Sequence, residues 1–198
     1  KVGRMPDEET TDLQVIGAPM REAFERFQSE TGRKLHLEIE PGTYLMANSC
    51  VLISTVQDLT STGEDGYDFI KLDTGMTENV RPSMYGAQHP MELLACDGDT
   101  REAHTYVMTG HCCESGDILT PAPGDAEELL PRKLVDAKIG DILAIGGAGA
   151  YCSAMSTKNY NSFPECPEVM LRIDGSLSVI RKRQTLKQIL ANETEILF

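Results

Sequence analysis

Three short clusters hold the residue types from which chemistry could be built. In Cys113-Glu114-Ser115-Gly116-Asp117 a thiol stands beside a carboxylate at a turn. Such a pair offers a proton donor and a partner for an ammonium group at one place. In Arg81-Pro82-Ser83-Met84-Tyr85-Gly86 a guanidinium lies four residues from a phenol, with Pro82 stiffening the link. The guanidinium is a planar two-pronged donor suited to a carboxylate. In Gly146-Gly147-Ala148-Gly149-Ala150-Tyr151 glycines after a strand would let backbone approach a ligand, and Tyr151 could present its ring or hydroxyl. Each cluster also admits a plain packing role: a half-buried thiol before a polar turn, a surface Arg with a core Tyr, a glycine-rich bulge. The glycine run is not GxGxxG, so a dinucleotide fold is not indicated. His89 is the only histidine near a cluster, and His36, His104 and His111 form no metal spacing with the acids, so no metal is expected.

The elements that must hold these clusters fall into two kinds. Ile16, Met20, Ala23, Phe24 and Phe27 share one face at helical spacing, and Gly32 follows, which predicts an amphipathic helix. Leu35 to Glu40 alternates with period two and stops at Pro41-Gly42, predicting a strand that enters a tight turn. From residue 45 onward the pattern is of short strands closed by turn residues: 45–57, 67–73, 104–109, 116–119, 141–145, 168–173 and 177–181. Asp174-Gly175 joins the last two by a dipeptide suited to a type I′ hairpin turn. Residues 121–131, rich in Pro and acids, read as a surface excursion, and 185–191 as one short helix. The expected fold is mainly β: a barrel-like domain over 45–198, preceded in 1–44 by the helix and strand of an α/β unit.

Composition narrows the partners. With 31 Asp and Glu against 18 Lys and Arg, the net charge of −13 makes a nucleic-acid backbone an unsuitable partner. No apolar run approaches the ~20 residues of a membrane span. The six cysteines show no CxxC spacing, and the expectation is reduced thiols in the cytoplasm. The chain opens on Lys1 without the basic-then-apolar order of a signal peptide, and reads as cut inside a longer protein.

In order along the chain, Glu40-Pro41-Gly42-Thr43-Tyr44, Asp73-Thr74-Gly75-Met76, Arg81 to Ala87, Cys113 to Asp117, Gly140-Asp141, Gly149-Ala150-Tyr151 and Asn159-Tyr160-Asn161-Ser162 resemble one family. It is the fold type III pyridoxal-phosphate-dependent amino acid decarboxylases, and the Arg-Pro and Cys-Glu-Ser-Gly-Asp contexts look most like its diaminopimelate branch. The resemblance implies a homodimeric enzyme of lysine biosynthesis with an N-terminal (β/α)8 cofactor barrel and a C-terminal β-domain. Residues 1–44 would then be the truncated remnant of that barrel, whose N-terminal segment is missing here. By the same resemblance Cys113 would be the catalytic proton donor and Glu114 would hold the substrate's distal ammonium, both across the dimer interface. Arg81 and Tyr85 would hold the distal carboxylate of a small amino acid substrate, while Gly42 and Tyr151 would contact the pyridoxal phosphate. No lysine occupies the family's cofactor-lysine motif, so this chain alone should be inactive and should not bind cofactor covalently. Thr43 stands where the diaminopimelate branch often has Arg, which leaves the choice of dibasic substrate open. An alternative is a family member without catalysis that binds or regulates a partner; the retained Cys113 and Glu114 argue against it.

Overall fold

The computed structural model describes residues 2–194, so the outermost ends of the expected units 1–44 and 45–198 lie outside the described residues. Helix α1 (Leu13–Thr31) forms where the periodicity predicts. The Asp12 carboxylate accepts from the amides of Gln14 at 2.7 Å and Val15 at 3.4 Å, and Gly32 closes the helix in the left-handed region at φ 71°. No residue of α1 is buried.

Leu35–Glu40 is a correction. It carries the alternation of a strand but forms none, and Leu35, Leu37 and Ile39 are 42%, 50% and 70% exposed. A strand exists through ladder hydrogen bonds to a neighbour, and among the described residues none runs beside this segment. Alternation alone does not supply that partner.

The β-domain is a six-stranded, nearly closed sheet. Its strands are β1 (Leu52–Ser61), β2 (Asp68–Leu72), β3 (Met91–Leu94), β4 (Ala103–Thr109), and, from later in the chain, β7 (Arg132–Val135) and β8 (Ile142–Ile145). The strand order is β3-β8-β1-β2-β4-β7, antiparallel except for the parallel pair β2 and β4. The edge strands β3 and β7 approach each other, which gives the barrel-like form. The side-chain period of two turns Ser54 and Val56 of β1 inward while Ile53 faces out at 59% exposure. Val56 meets Ile70, Leu72, Leu93, Tyr106, Met108, Leu119, Leu143 and Ile145 in one core. Helix α2 (Arg81–Tyr85) lies between β2 and β3.

Three further expectations change in detail. Residues 121–131 are a small hairpin of β5 (Pro121–Ala122) and β6 (Asp125–Leu129), with Pro121 and Ala122 buried. Pro tolerates an edge strand because no ladder donor is required of it there. Residues 116–119 form only the isolated bridge Thr109↔Ile118. The hairpin of β9 (Glu168–Leu171) and β10 (Leu177–Arg181) forms as expected, but its turn is different. Gly175 donates to the Arg172 carbonyl at 2.9 Å with φ 81°, and Asp174 is not left-handed, so the loop is a type I turn followed by a left-handed glycine. The tail holds α3 (Leu186–Ile189), capped by Thr185.

The β5–β6 hairpin buttresses α2. Gly124 donates to the Gly86 carbonyl at 3.1 Å, and Gln88 Nε2 donates to the Pro121 carbonyl at 2.9 Å. Gly86 ends α2 at φ 58°, and a Cβ there would fall 2.4 Å from the Asp125 amide nitrogen, whereas Gly98 is equally left-handed at φ 75° with open space around it. Gly98→Ala should therefore cost about 1 kcal/mol, the strain of the left-handed backbone alone. Gly86→Ala should cost about 1–3 kcal/mol more, because packed backbone must shift. Urea unfolding of the two variants checks this; equal losses would show that the hairpin yields freely.

Candidate functional site

The turn between β2 and α2 is built around a buried carboxylate. Glu78 Oε2 accepts from the Thr74 hydroxyl at 3.0 Å, the Gly75 amide at 3.1 Å and the Thr77 hydroxyl at 2.5 Å. This satisfies backbone and hydroxyl donors that burial would otherwise orphan. The turn aims α2, where Arg81 and Tyr85 share a face and the guanidinium lies 5.7 Å from the ring centre. Arg81 Nε is buried without a partner among the described residues. Tyr85 is half exposed.

The loop after β4 is tied to that turn through Asp117, which is 2% exposed. Its carboxylate accepts from the Met76 amide at 2.7 Å and the Cys112 amide at 2.9 Å. Gly75 and Gly110 flank it so closely that a Cβ at either would come within 2.4 or 2.1 Å of a carboxylate oxygen. The loop thereby presents Cys113 and Glu114 to solvent at the wall of an open cavity of about 700 Å³. Gln57, Asp58, Lys71, His111 and Phe163 also line it, and Lys71 is paired with Asp58 at 3.0 Å.

A strained segment completes the loop's support. Asn159, Asn161 and Ser162 all have left-handed backbones, at φ 60°, 50° and 63°. Each non-glycine residue held so costs of order 1–2 kcal/mol, which the surroundings must offset. Here Asn161 Oδ1 accepts from the Cys113 amide at 3.0 Å and the Tyr160 hydroxyl donates to Glu114 at 3.2 Å. The Gly116 amide and that hydroxyl favour the charged carboxylate and hold Glu114 below the usual carboxylate range, so it is ionised at neutral pH. At the neighbouring Cys112, burial together with the carboxylates of Asp117, Glu78 and Glu114 pushes the thiol up to about 12.

Gly42 and Tyr151 stand together, and neither lines the open cavity. A Cβ on Gly42 would be 3.8 Å from the Tyr151 hydroxyl, which has no protein partner among the described residues. The glycines before Tyr151 meet protein rather than empty space: a Cβ on Gly149 would overlap the Met46 carbonyl, and one on Gly146 would come 2.9 Å from Pro90. Their backbone approach thus serves packing. His89 is 1% exposed, and its Nδ1 donates to the Gly146 carbonyl at 3.0 Å. Burial lowers its pKa to about 4, so it stays neutral and belongs to the core.

The six expected site residues therefore form three pairs: Cys113 with Glu114, Arg81 with Tyr85, and Gly42 with Tyr151. Of these only Cys113 and Glu114 line the large cavity. Sequence reasoning did not assign roles to Asp117, Tyr160, Asn161, His111 or Phe163. The signal it held was Asn159 to Ser162, since Asn is the non-glycine residue most tolerant of a left-handed backbone. All six cysteines are free thiols. Among the described residues no cluster of His, Cys, Asp and Glu could hold a metal ion, and no helix is long and apolar enough to cross a membrane.

Comparison with known proteins adds the following. Residues 43–149 match the family described as pyridoxal-dependent decarboxylase, C-terminal sheet domain. The chain is 39% identical over 189 residues to the diaminopimelate decarboxylase of Escherichia coli K12, covering 94% of this chain and 44% of that protein. A crystal structure of diaminopimelate decarboxylase superposes with a TM-score of 0.89 at 36% identity, covering 98% of this chain and 45% of that one. The Helicobacter pylori diaminopimelate decarboxylase complexed with L-lysine superposes at 0.77 with 29% identity, covering 95% and 41%. The chain thus spans less than half the length of these relatives.

The Tyr160 to Glu114 bond has a measurable consequence. Tyr160→Phe removes one donor that favours the ionised carboxylate, so the Glu114 pKa should rise toward the ordinary Glu value while the Gly116 amide keeps it below that value. Carboxyl-carbon NMR titration reads the shift; an unmoved midpoint would show that the bond is absent in solution.

Proposed function

This chain belongs to the pyridoxal-dependent decarboxylase family and carries its C-terminal sheet domain, and from that premise we propose that the whole protein removes CO2 from diaminopimelate or a related dibasic amino acid. Residues 1–44 then belong with a (β/α)8 cofactor barrel and 45–198 form the β-domain, the two working in a homodimer of the cytoplasm. The observation that carries the reading is an exposed thiol beside an ionised carboxylate in one cavity wall, Cys113 with Glu114.

Pyridoxal phosphate, when bound, supplies the electron sink that allows an amino acid to lose CO2. The residues present fit one edge of that group: the unpartnered Tyr151 hydroxyl beside the Cβ-free Gly42 suits an oxygen-rich ligand. Lys71 is already paired with Asp58, so the lysine that carries the cofactor is proposed to come from outside the described residues.

Each remaining group has one task. The Arg81 fork, with Tyr85 beside it, holds a carboxylate remote from the reacting carbon. Glu114, fixed by Gly116 and Tyr160, pairs with the ammonium at the same distant end. Cys113 Sγ gives its proton to the carbon that has lost CO2 and regains one from solvent, to which it is open. Cys113 and Glu114 are proposed to act on the cofactor site of the partner protomer. That accounts for their standing in a cavity that Arg81 and Tyr151 do not line.

Turnover of the intact enzyme with diaminopimelate and with lysine tests this. Cys113→Ala should lower kcat by roughly 10²-fold with cofactor content unchanged. Arg81→Lys keeps the charge but loses the fork, so kcat/KM for diaminopimelate should fall roughly tenfold to a hundredfold while lysine, lacking the second carboxylate, loses little. Normal turnover in Cys113→Ala would assign that thiol to packing. Equal losses for both substrates in Arg81→Lys would give Arg81 a structural role and make Thr43 the mark of a substrate without a second carboxylate.

A further inference from the structure

We infer that His111 is a positioning residue for the Cys113 thiol, acting as a clamp that joins the turn before α2 to the strained segment 159–163; the inference rests on Cys113 being the proton donor. His111 lies two residues before Cys113, and two separate segments converge on it, the turn 74–78 and the segment ending at Phe163. Its amide donates to the Thr74 carbonyl at 3.1 Å. Its ring Nε2 is 2.7 Å from the Thr77 hydroxyl and 3.8 Å from Glu78 Oε2. Its face lies flat on Phe163, with ring centres 3.6 Å apart and planes 5° from parallel.

Proton counting fixes the direction of the polar contact. The Thr77 hydroxyl has one proton, and it goes to Glu78 at 2.5 Å. The bond to His111 must then be donated by the ring, so Nε2 carries a hydrogen and the chain runs from His111 through Thr77 to Glu78. An aliphatic side chain of similar size would fill the space without making this connection.

The stack supplies the second half of the clamp. Phe163 ends the segment in which Asn161 and Ser162 hold left-handed backbones. That segment supplies Asn161 Oδ1 to the Cys113 amide and the Tyr160 hydroxyl to Glu114. Removing the stack frees the segment to relax, and with it the two contacts that fix Cys113 and Glu114, while Asp117 still holds the loop's base. With one face on Phe163 and one nitrogen on Thr77, the ring acts on Cys113 through these neighbours.

The test uses the intact, cofactor-loaded enzyme and the variants His111→Ala, Phe163→Ala, their double, and Phe163→Tyr. Each Ala variant should lower kcat about tenfold with KM for diaminopimelate little changed and the cofactor absorbance intact, as expected when a reacting group is misplaced. The double should lose no more than either single, because both break one clamp, and Phe163→Tyr, which keeps the stack, should match the wild type. Alkylation of Cys113 by iodoacetamide, followed by peptide mapping, should be severalfold faster in the Ala variants. Losses that multiply in the double, a rise in KM with kcat unchanged, or an unaltered alkylation rate would each overturn the clamp. A wild-type enzyme that fails to decarboxylate dibasic amino acids would instead remove the proposed activity, and the alkylation rates would still judge the clamp.

Discussion

The Asp117 carboxylate is the constraint on which the rest of the site depends. It is buried with no cation paired to it among the described residues, and is satisfied by amide donors from two loops, one leading to Arg81 and the other to Cys113. A hydrogen bond to a charged group contributes about 1.5–3 kcal/mol, and an amide left buried without its acceptor costs a comparable amount. The two loops therefore cannot separate cheaply. Gly75 and Gly110 are required for the same reason, since any side chain at either would occupy the space of the carboxylate oxygens. The core beneath, with Ile70 and Leu72 of β2 and Met108 of β4 fully buried, sets the distance between the strands from which these loops spring. Site geometry is thus inherited from the β2–β4 pairing and locked by one side chain.

The three pairs of site residues reflect three kinds of local support. Arg81 and Tyr85 sit on a single short helix, aimed by the Glu78-capped turn and backed by the β5–β6 hairpin at Gly86. Cys113 and Glu114 sit on a loop held by Asp117 from below and by Asn161 and Tyr160 from the side. Gly42 and Tyr151 meet where the chain before β1 crosses the glycine turn after β8. Large apolar groups left in solvent include Leu35, Leu37 and Ile39, and Val169, Leu171, Leu177 and Val179 on the β9–β10 hairpin. On the hairpin Leu177 pairs with Leu171 and Val179 with Val169, a contiguous apolar face that suits contact with further protein.

Much of this was legible in the sequence because it depends on local pattern. The 3.6-residue period over Ile16 to Phe27 gave α1, and alternation bounded by turn residues gave β2, β4, β8, β9 and β10 to within a few residues, whereas the strand expected over 45–57 begins only at Leu52, after a 3-10 turn at Ala47–Ser49. The ordered motifs gave the family. What stayed hidden was set by distant contacts. Leu35–Glu40 has a strand's pattern but no neighbour. Residues 121–129 look like a loop because Pro and acids dominate, yet burial against Gly86 makes them a hairpin. Asp117 reads as one more turn acid until the fold brings Met76 to it across 41 residues of sequence. His111 likewise has no local signature; its partners Thr77 and Phe163 lie 34 and 52 positions away in opposite directions along the chain.

The central claim is that this domain lends its thiol to a cofactor held by another protomer, and mixed dimers test it directly. One subunit would carry Cys113→Ala with its cofactor lysine intact; the other would carry intact Cys113 with that lysine replaced. Neither homodimer should keep more than about a hundredth of wild-type turnover. Random reassociation makes about half the dimers mixed, each with one complete site of two, so the mixture should recover about a quarter of wild-type activity. A mixture as inactive as its parents would contradict the account, since it would mean that thiol and cofactor of one active site belong to the same chain.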